Sequence, residues 1–224
     1  PGADTAAYPD GLMDEQDHYF STKLITTGIM HNTAADMAPS SYTDLLDAAA
    51  EGQIAMPSPL TSGAATIHMA TLTQNPDLGW DFYEGLAEQG AIPEGGNGGT
   101  YKTVASGQKL YGFVVDFLPI RNKLDGAPVE FVFPEEGVSA VTEPAAILST
   151  AENPDAAQAF IDFLISREGQ EMAAGQGYLP AHPEVTPPEG FPPRDEITLM
   201  PFDAAEALEN QEDNRQRFLE IFGG

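Results

Sequence analysis

The chain has 224 residues, of which 42% are hydrophobic and none is cysteine. That is apolar sequence enough for one large domain or two lobes with separate cores, and the absence of thiols excludes disulfides and thiolate metal sites. The charge is extreme, 35 Asp and Glu against 9 Lys and Arg for a net of −26, which argues against nucleic acid or an anionic membrane surface as a partner, since both need cations at the interface. Acidity of this kind reads as a surface solvated in a salty medium rather than as the mark of a specific basic partner. No stretch approaches the ~20 apolar residues of a membrane helix. The chain opens at Pro1 without an initiator Met, a basic segment or an apolar leader, so a mature form or a fragment is expected.

Residues 1–22 are polar and turn-rich, and "KLITTGIMHNT" (Lys23–Thr33) then reads as a strand. Ser40 or Ser41 can cap a short helix, "YTDLLDAAAEG", that stops at Gly52. "GQIAMPSP" is a short buried strand ended by prolines. A helix begins near Thr61 or Ser62 and runs through "GAATIHMATLTQ", with Ala64, Ile67, Ala70 and Leu72 as its buried face. "GWDFYEGLAEQG" is an amphipathic helix with Gly90 just past its end.

"PEGGNGGTYKTVASGQ" reads as a glycine-rich loop entering a short helix. "KLYGFVVDF" is too apolar for a half-exposed strand and belongs inside a sheet covered on both faces. "APVEFVFP" and "EPAAILST" read the same way. Asn153 caps the helix "NPDAAQAFIDFLISREGQEMAAGQG", with Pro154 in its first turn and Phe160, Phe163 and Leu164 on one face with Ala156 and Ala157. A proline-rich stretch follows, and an acidic helix, "FDAAEALENQEDNRQRFLEIFGG", closes the chain. Strands alternating with helices predict an α/β fold with open sheets.

Enzyme signatures are absent from the sequence. There is no Gly-x-Ser-x-Gly elbow, no Gly-x-Gly-x-x-Gly between a strand and a helix, and "GGNGG" lacks the Lys-Ser/Thr of a phosphate loop. His18, His31, His68 and His182 show no metal-ligand spacing, and His68 is expected at or near the surface of its helix. Neither a cofactor nor a metal is expected. The segment "MPSPLTSGAAT" offers something else. A helix start presents unbonded N–H groups and a partial positive charge, hydroxyls add donors, and glycine admits a ligand to the backbone. Thr61, Ser62, Gly63 and Ala64 therefore either hold an anion or merely cap their own helix. Asp116 ends the apolar strand, where a buried carboxylate needs a partner. That partner is either a ligand's amine or hydroxyls beyond the strand ends, or Arg121 or Lys123.

The order of these segments resembles one family. "SYTDLLDAAAEGQIAMPSPLTSGAAT", "GWDFYEGLAEQGA", "TVASGQKLYGFVVDF", "GAPVEFVFPEEG" and above all "NPDAAQAFIDFLISREGQEMAAGQGYLPAHPEV" are similar to the extracellular solute-binding proteins of bacterial ABC importers. The branch is the one that holds ferric-iron, aminophosphonate, sugar-phosphate, thiamine and polyamine binders. The resemblance runs from Lys23 to the C-terminus.

It implies the two-lobe type II periplasmic binding protein fold, with the N-terminal part of the first lobe missing from this chain. Residues 1–31 and 140–190 would be the rest of that lobe and 32–139 with 191–224 the second, the ligand lying in a cleft between them. It implies a periplasmic or membrane-associated extracellular monomer, without catalysis, that delivers a small-molecule solute to a membrane permease.

By position, Ser58 and Thr61–Ala64 match the family's anion-holding turn. The loop Gly95–Tyr101, with Gly99, Thr100 and Tyr101 in particular, and Glu143 near a lobe crossing, are expected to line the cleft with Asp116. Iron binders carry two adjacent tyrosines where this chain has Phe117 and Leu118. The implied solute is therefore anionic or zwitterionic, a phosphonate or phosphate ester, with ferric iron or another metal–anion pair as the alternative. A ligand-sensing module or an enzyme is the alternative of another class.

Overall fold

The computed structural model describes Thr5, Tyr8, residues 11–14 and 16–223. In chain order the elements are β1 (Phe20–Ser21), β2 (Ile25–Asn32), β3 (Ile54–Pro57), α1 (Gly63–Gln74), α2 (Gly79–Glu88), β4 (Ile92–Glu94), α3 (Asn97–Ala105), β5 (Tyr111–Val115) and α4 (Phe117–Leu124). There follow β6 (Val129–Val132), β7 (Ser139–Val141), β8 (Pro144–Ala145), α5 (Pro154–Ile165), α6 (Arg167–Gly175), α7 (Ala204–Glu209) and α8 (Gln211–Phe222). The chain divides into two compact units, 1–25 with 141–196 and 26–140 with 197–224. Thr26–His31, expected in the first lobe, fall in the second unit because β2 is an inner strand of its sheet, and 191–196 fall in the first.

The second unit is built on a sheet of order β4-β3-β5-β2-β6, with β7 also paired to β2. β3 runs parallel to β4 and to β5, whereas β2 is antiparallel to β5 and β6. Every residue of β5 is buried, as its unbroken apolar run predicts. Alternation along the strand sends its side chains to two cores. Tyr111 and Phe113 join Ile29, Tyr42, Leu72, Phe82, Leu86 and Phe218, while Val114 joins Met30, Val104 and Val129. Each such side chain contributes roughly 1.5–3 kcal/mol when fully buried. Gly112 lies between them because there is no room for more. A Cβ there would sit 2.6 Å from the carbonyl oxygen of Ala55 and 3.0 Å from Cγ2 of Thr100.

In the first unit, β1 pairs with β8 and Leu24 bridges to Leu179. Gln170, wholly buried on α6, ties the unit together. Its amide group donates to the carbonyls of Thr22 at 2.6 Å and Leu164 at 2.7 Å, and its oxygen accepts from the N–H groups of Ala181 and His182. All the hydrogen-bonding capacity of a buried amide is thereby used.

Several expectations are corrected. The helix expected after Ser41 is two 3-10 turns, Tyr42–Leu46 and Ala48–Ala50, because Asp47 turns extended and caps the second turn with its own carboxylate. The buried residues of α1 are Ala65, His68, Met69, Ala70, Thr71 and Leu72, so Ala70 and Leu72 are buried as expected while Ala64 and Ile67 are half-exposed. His68 is only 3% exposed, packed against Tyr42 and Phe113 and bonded through Nδ1 to Ser139 Oγ at 2.9 Å. β6 is an edge strand with only Val129 buried, so "APVEFVFP" is not covered on both faces. "EPAAILST" pairs over two residues only, since β1 offers no more, and Leu148 is 73% exposed. The long helix from Pro154 breaks at Ser166, whose hydroxyl accepts from Gly169 N–H and starts α6. Its buried residues are Ile161 and Ile165, and Phe160 is 61% exposed. The closing helix is likewise two, α7 capped by Asp203 and α8 after Asn210.

Candidate anion-binding site

Because β3, β4 and β5 are parallel neighbours, their carboxyl ends lie along one edge of the sheet. Each leads into a helix. Pro57 leads through a five-residue turn to α1, Glu94 leads to α3, and Val115 leads directly to α4, the N-cap residues being Ser62, Gly96 and Asp116. The first N–H groups of a helix have no partner inside it, so this edge concentrates donors and positive dipole ends.

Side chains lock the starts of α1 and α3 together. Ser58 N–H donates to the Glu94 carbonyl at 2.8 Å, and Thr61 Oγ1 donates to the Gly95 carbonyl at 2.5 Å. Asn97 donates through Nδ2 to Ser62 Oγ at 3.2 Å and accepts through Oδ1 from Val115 N–H at 3.0 Å. One amide side chain thus fixes the relation of α1, α3 and the end of β5. Thr66 Oγ1 donates to the Pro59 carbonyl at 2.7 Å and holds the turn from the other side. Ser62 Oγ also accepts from Ala65 N–H, which caps α1.

What these bonds leave over is the chemistry of the site. Among the described residues, no group accepts from the N–H groups of Gly63 and Ala64 on α1 or of Asn97 and Gly98 on α3. A Cβ placed at Gly63, Gly95, Gly96 or Gly98 would meet nothing within 4 Å, so the backbone is open to an approaching group. Four amide donors at two tethered helix starts can hold an oxyanion without a side-chain cation.

The expected site residues divide. Ser58, Thr61, Ser62, Gly63 and Ala64 come together in this turn, with Ser58 Oγ accepting from Leu60 N–H. Gly99, Thr100 and Tyr101 sit further along α3. Thr100 is wholly buried, with its hydroxyl on the Gly96 carbonyl and its methyl toward Gly112. Tyr101 packs on the core around Met30 and Val114, and a Cβ on Gly99 would touch Glu94, whose other oxygen accepts from Thr103 Oγ1. Glu143 belongs to the other unit. It has a left-handed backbone (φ 44°), its carbonyl takes Thr22, and its carboxylate lies 3.5 Å from Lys23.

Asp116 is not an open carboxylate. It is 1% exposed, one oxygen accepts from Thr26 N–H and Oγ1, and the other accepts from Phe117 N–H. Burial pushes its pKa up to about 6, against the opposing effect of those bonds and of the Arg121 charge. Lys123 pairs with Glu130 instead. Phe117 and Leu118 occupy the first turn of α4, with the Arg121 guanidinium over the Phe117 ring at 4.7 Å. Among the described residues, no group of three His, Asp or Glu could hold a metal ion. Sequence reasoning missed Thr26, and it put Asn97 within the cleft-lining loop without giving it a role of its own. Asn97 lay inside "GGNGGTY", read as loop, although an Asn that opens a helical run is a fair signal of a helix start.

A sequence profile described as bacterial extracellular solute-binding protein matches residues 2–207. The chain belongs to this family. A Haemophilus influenzae relative described as an uncharacterized protein is 30% identical over 148 residues, which are 62% of this chain and 41% of that one. The chain thus spans less than half the length of that curated relative. Solved structures agree on the fold. The periplasmic binding protein AfuA from Actinobacillus pleuropneumoniae, solved with exogenous fructose-6-phosphate bound, matches with a TM-score of 0.83 at 20% identity, over 99% of this chain and 75% of its own. Iron-bound HitA from Pseudomonas aeruginosa matches with a TM-score of 0.76 at 21% identity, over 93% and 73%. The fold of this family member is therefore that of the type II periplasmic binding proteins, and its family and structural neighbours are binding proteins rather than enzymes.

Proposed function

We propose that the chain is the solute-binding part of an ABC importer that captures a small phosphate ester or phosphonate in the periplasm and hands it to a membrane permease. The observation that carries the reading is the pair of tethered helix starts, with the N–H groups of Gly63, Ala64, Asn97 and Gly98 unpartnered and open. A tetrahedral oxyanion accepts several N–H bonds at once, and the helix dipoles favour its charge. The sugar phosphate held by a structural neighbour supports the same class of solute. Ser58, Thr61, Ser62, Gly63 and Ala64 are the ligand residues of this reading, joined by Asn97. Asp116 acts behind them by fixing the end of β5. Gly99, Thr100, Tyr101 and Glu143 are left outside the anion cradle.

Ferric iron is the second reading, favoured by the iron-bound neighbour. The aromatic and aliphatic side chains of Phe117 and Leu118 weigh against it, because a hard trivalent ion needs anionic oxygen ligands.

Calorimetric titration with inorganic phosphate, 2-aminoethylphosphonate, fructose-6-phosphate and ferric citrate tests both. Saturable heat with a phosphorus compound, weakened about tenfold or more in Asn97→Ala, is the expected result. Binding of ferric citrate alone, with a visible charge-transfer band, would overturn it.

A further inference from the structure

Lys109 donates to the Gly52 carbonyl, Arg121 donates to that of Phe117, and Lys23, Lys123, Arg167, Arg215 and Arg217 each lie beside a carboxylate. Arg194 does not. Among the described residues its guanidinium has no carboxylate partner, and Nη1 is buried without an acceptor. Burial lowers its pKa, as it must for a charge taken from water without compensation. A half-buried guanidinium with no acceptor is costly, and the group that would relieve it is an anion.

Arg194 lines a cavity of about 380 Å³ whose other walls are Glu184, Val185, Thr186, Phe191 and four prolines, Pro183, Pro187, Pro192 and Pro193. All of these lie in the first unit. Short bonds shape the segment. Glu184 N–H donates to His182 Nδ1 at 3.2 Å, Phe191 N–H to the Pro188 carbonyl at 3.2 Å, and Glu196 N–H to the Pro193 carbonyl at 3.0 Å. Prolines fix φ and bring no N–H, so the walls are stiff and poor in donors, and the guanidinium dominates the recognition. The carboxylate that lines the cavity, Glu184, is held by Arg167 through both its carbonyl and its side chain. The volume lies within the range of small-molecule sites.

We propose that this cavity is a second binding site, in which Arg194 takes the carboxylate of an organic acid whose apolar body rests on Val185, Phe191 and the prolines. A planar carboxylate matches the guanidinium fork with two parallel bonds, whereas a tetrahedral phosphate would find little beyond the Thr186 hydroxyl to satisfy its remaining oxygens. The carboxylate comes either from a free small acid or from an acidic side chain of another protein. The site shares no residue with the anion cradle at α1 and α3, so the two proposals fail separately.

The test follows the Nε–Hε signal of Arg194 by NMR in the whole chain at constant ionic strength. The probes are benzoate, inorganic phosphate and a short Glu-containing peptide. Benzoate should shift the signal saturably. Arg194→Lys and Arg194→Gln, checked for native circular dichroism, should lose about tenfold or more in benzoate affinity measured by calorimetry. Ser62→Ala should leave it unchanged, and Glu184→Gln, which takes a negative charge out of the cavity wall, should not weaken it. A peptide that binds more tightly than benzoate would support a protein-borne carboxylate, and benzoate binding more tightly would support a free acid. The proposal is overturned by three results. One is no saturable shift with benzoate or peptide. Another is phosphate binding that matches benzoate and survives Arg194→Lys. The third is benzoate binding that appears only in Glu184→Gln, which would make Glu184 the guanidinium's own counter-ion.

Discussion

Thr26 and Asp116 close the end of the β2–β5 ladder as a reciprocal pair. Asp116 N–H donates to the Thr26 carbonyl at 2.9 Å, and Thr26 returns its own N–H at 2.9 Å and its hydroxyl at 2.7 Å to one carboxylate oxygen of Asp116. Both residues are buried, and they join the first residue of the second unit to the N-cap of α4.

The pair sets a pH dependence. The Asp116 pKa is raised by burial from 3.8 to about 6, so the folded state holds its proton more tightly than the unfolded chain. The group's stabilising contribution is full below pH about 4 and is lost as pH rises through about 6, a change of about 3 kcal/mol. Urea midpoints from pH 4 to pH 7 for the native chain and Asp116→Asn should show the native chain losing stability relative to the variant over that window. A constant difference between the two would contradict this.

His68 runs the other way. Burial depresses its pKa to about 3, so its contribution is present above the ordinary value of 6.5 and is lost as pH falls below it. Its Nε2 has no partner among the described residues. His68→Leu removes that unmet group and the need to keep the ring neutral. The variant should resist acid better than the native chain between pH 6 and pH 4, read from the same midpoints, and should lose the bond to Ser139.

Asn97→Ala should cut two bonds that relate α1 to β5. Expected are about 1–2 kcal/mol of lost stability in thermal unfolding and a larger proportional loss of phosphate-ester affinity. Ser62→Ala should cost about 1 kcal/mol through the lost cap of α1.

Gly112→Ala should destabilise by about 1–3 kcal/mol or more, because the added methyl meets the Ala55 carbonyl at 2.6 Å and backbone must move to admit it. Pairing Gly112→Ala with Thr100→Ser should recover little, since the tighter contact is with backbone. Chemical denaturation of the two variants decides this.

The sequence made β5 and the start of α1 legible because unbroken apolar runs and a Ser-Gly pair before a helical stretch are local signals. The turn from Ser58 to Ala64 read locally as a plain helix cap, and only its place in the order of segments suggested an anion seat. What failed depends on partners. Nothing local says that β6 would lie at an edge, that β8 would find only two residues to pair with, or that Ser166 would break a long helical pattern. The periodicity around Phe160 described an amphipathic stripe, but what α5 buries is Ile161 and Ile165. Asp116 was placed at its strand end and misread in its role, because its partner, Thr26, is ninety residues away in the chain. Asn97 was hidden by the glycines around it, which look like a loop although the helix begins there.

The four unpartnered amides at Gly63, Ala64, Asn97 and Gly98 carry no formal charge and do not titrate. An oxyanion seated on them exchanges water for N–H groups without forming an ion pair. Its retention would then weaken with added salt less than at a lysine or arginine site, since partial charges rather than a full cation hold it. For a chain with a net charge of −26, added salt would instead act mainly on the approach, by screening the repulsion that a dilute medium leaves between the chain and an incoming anion.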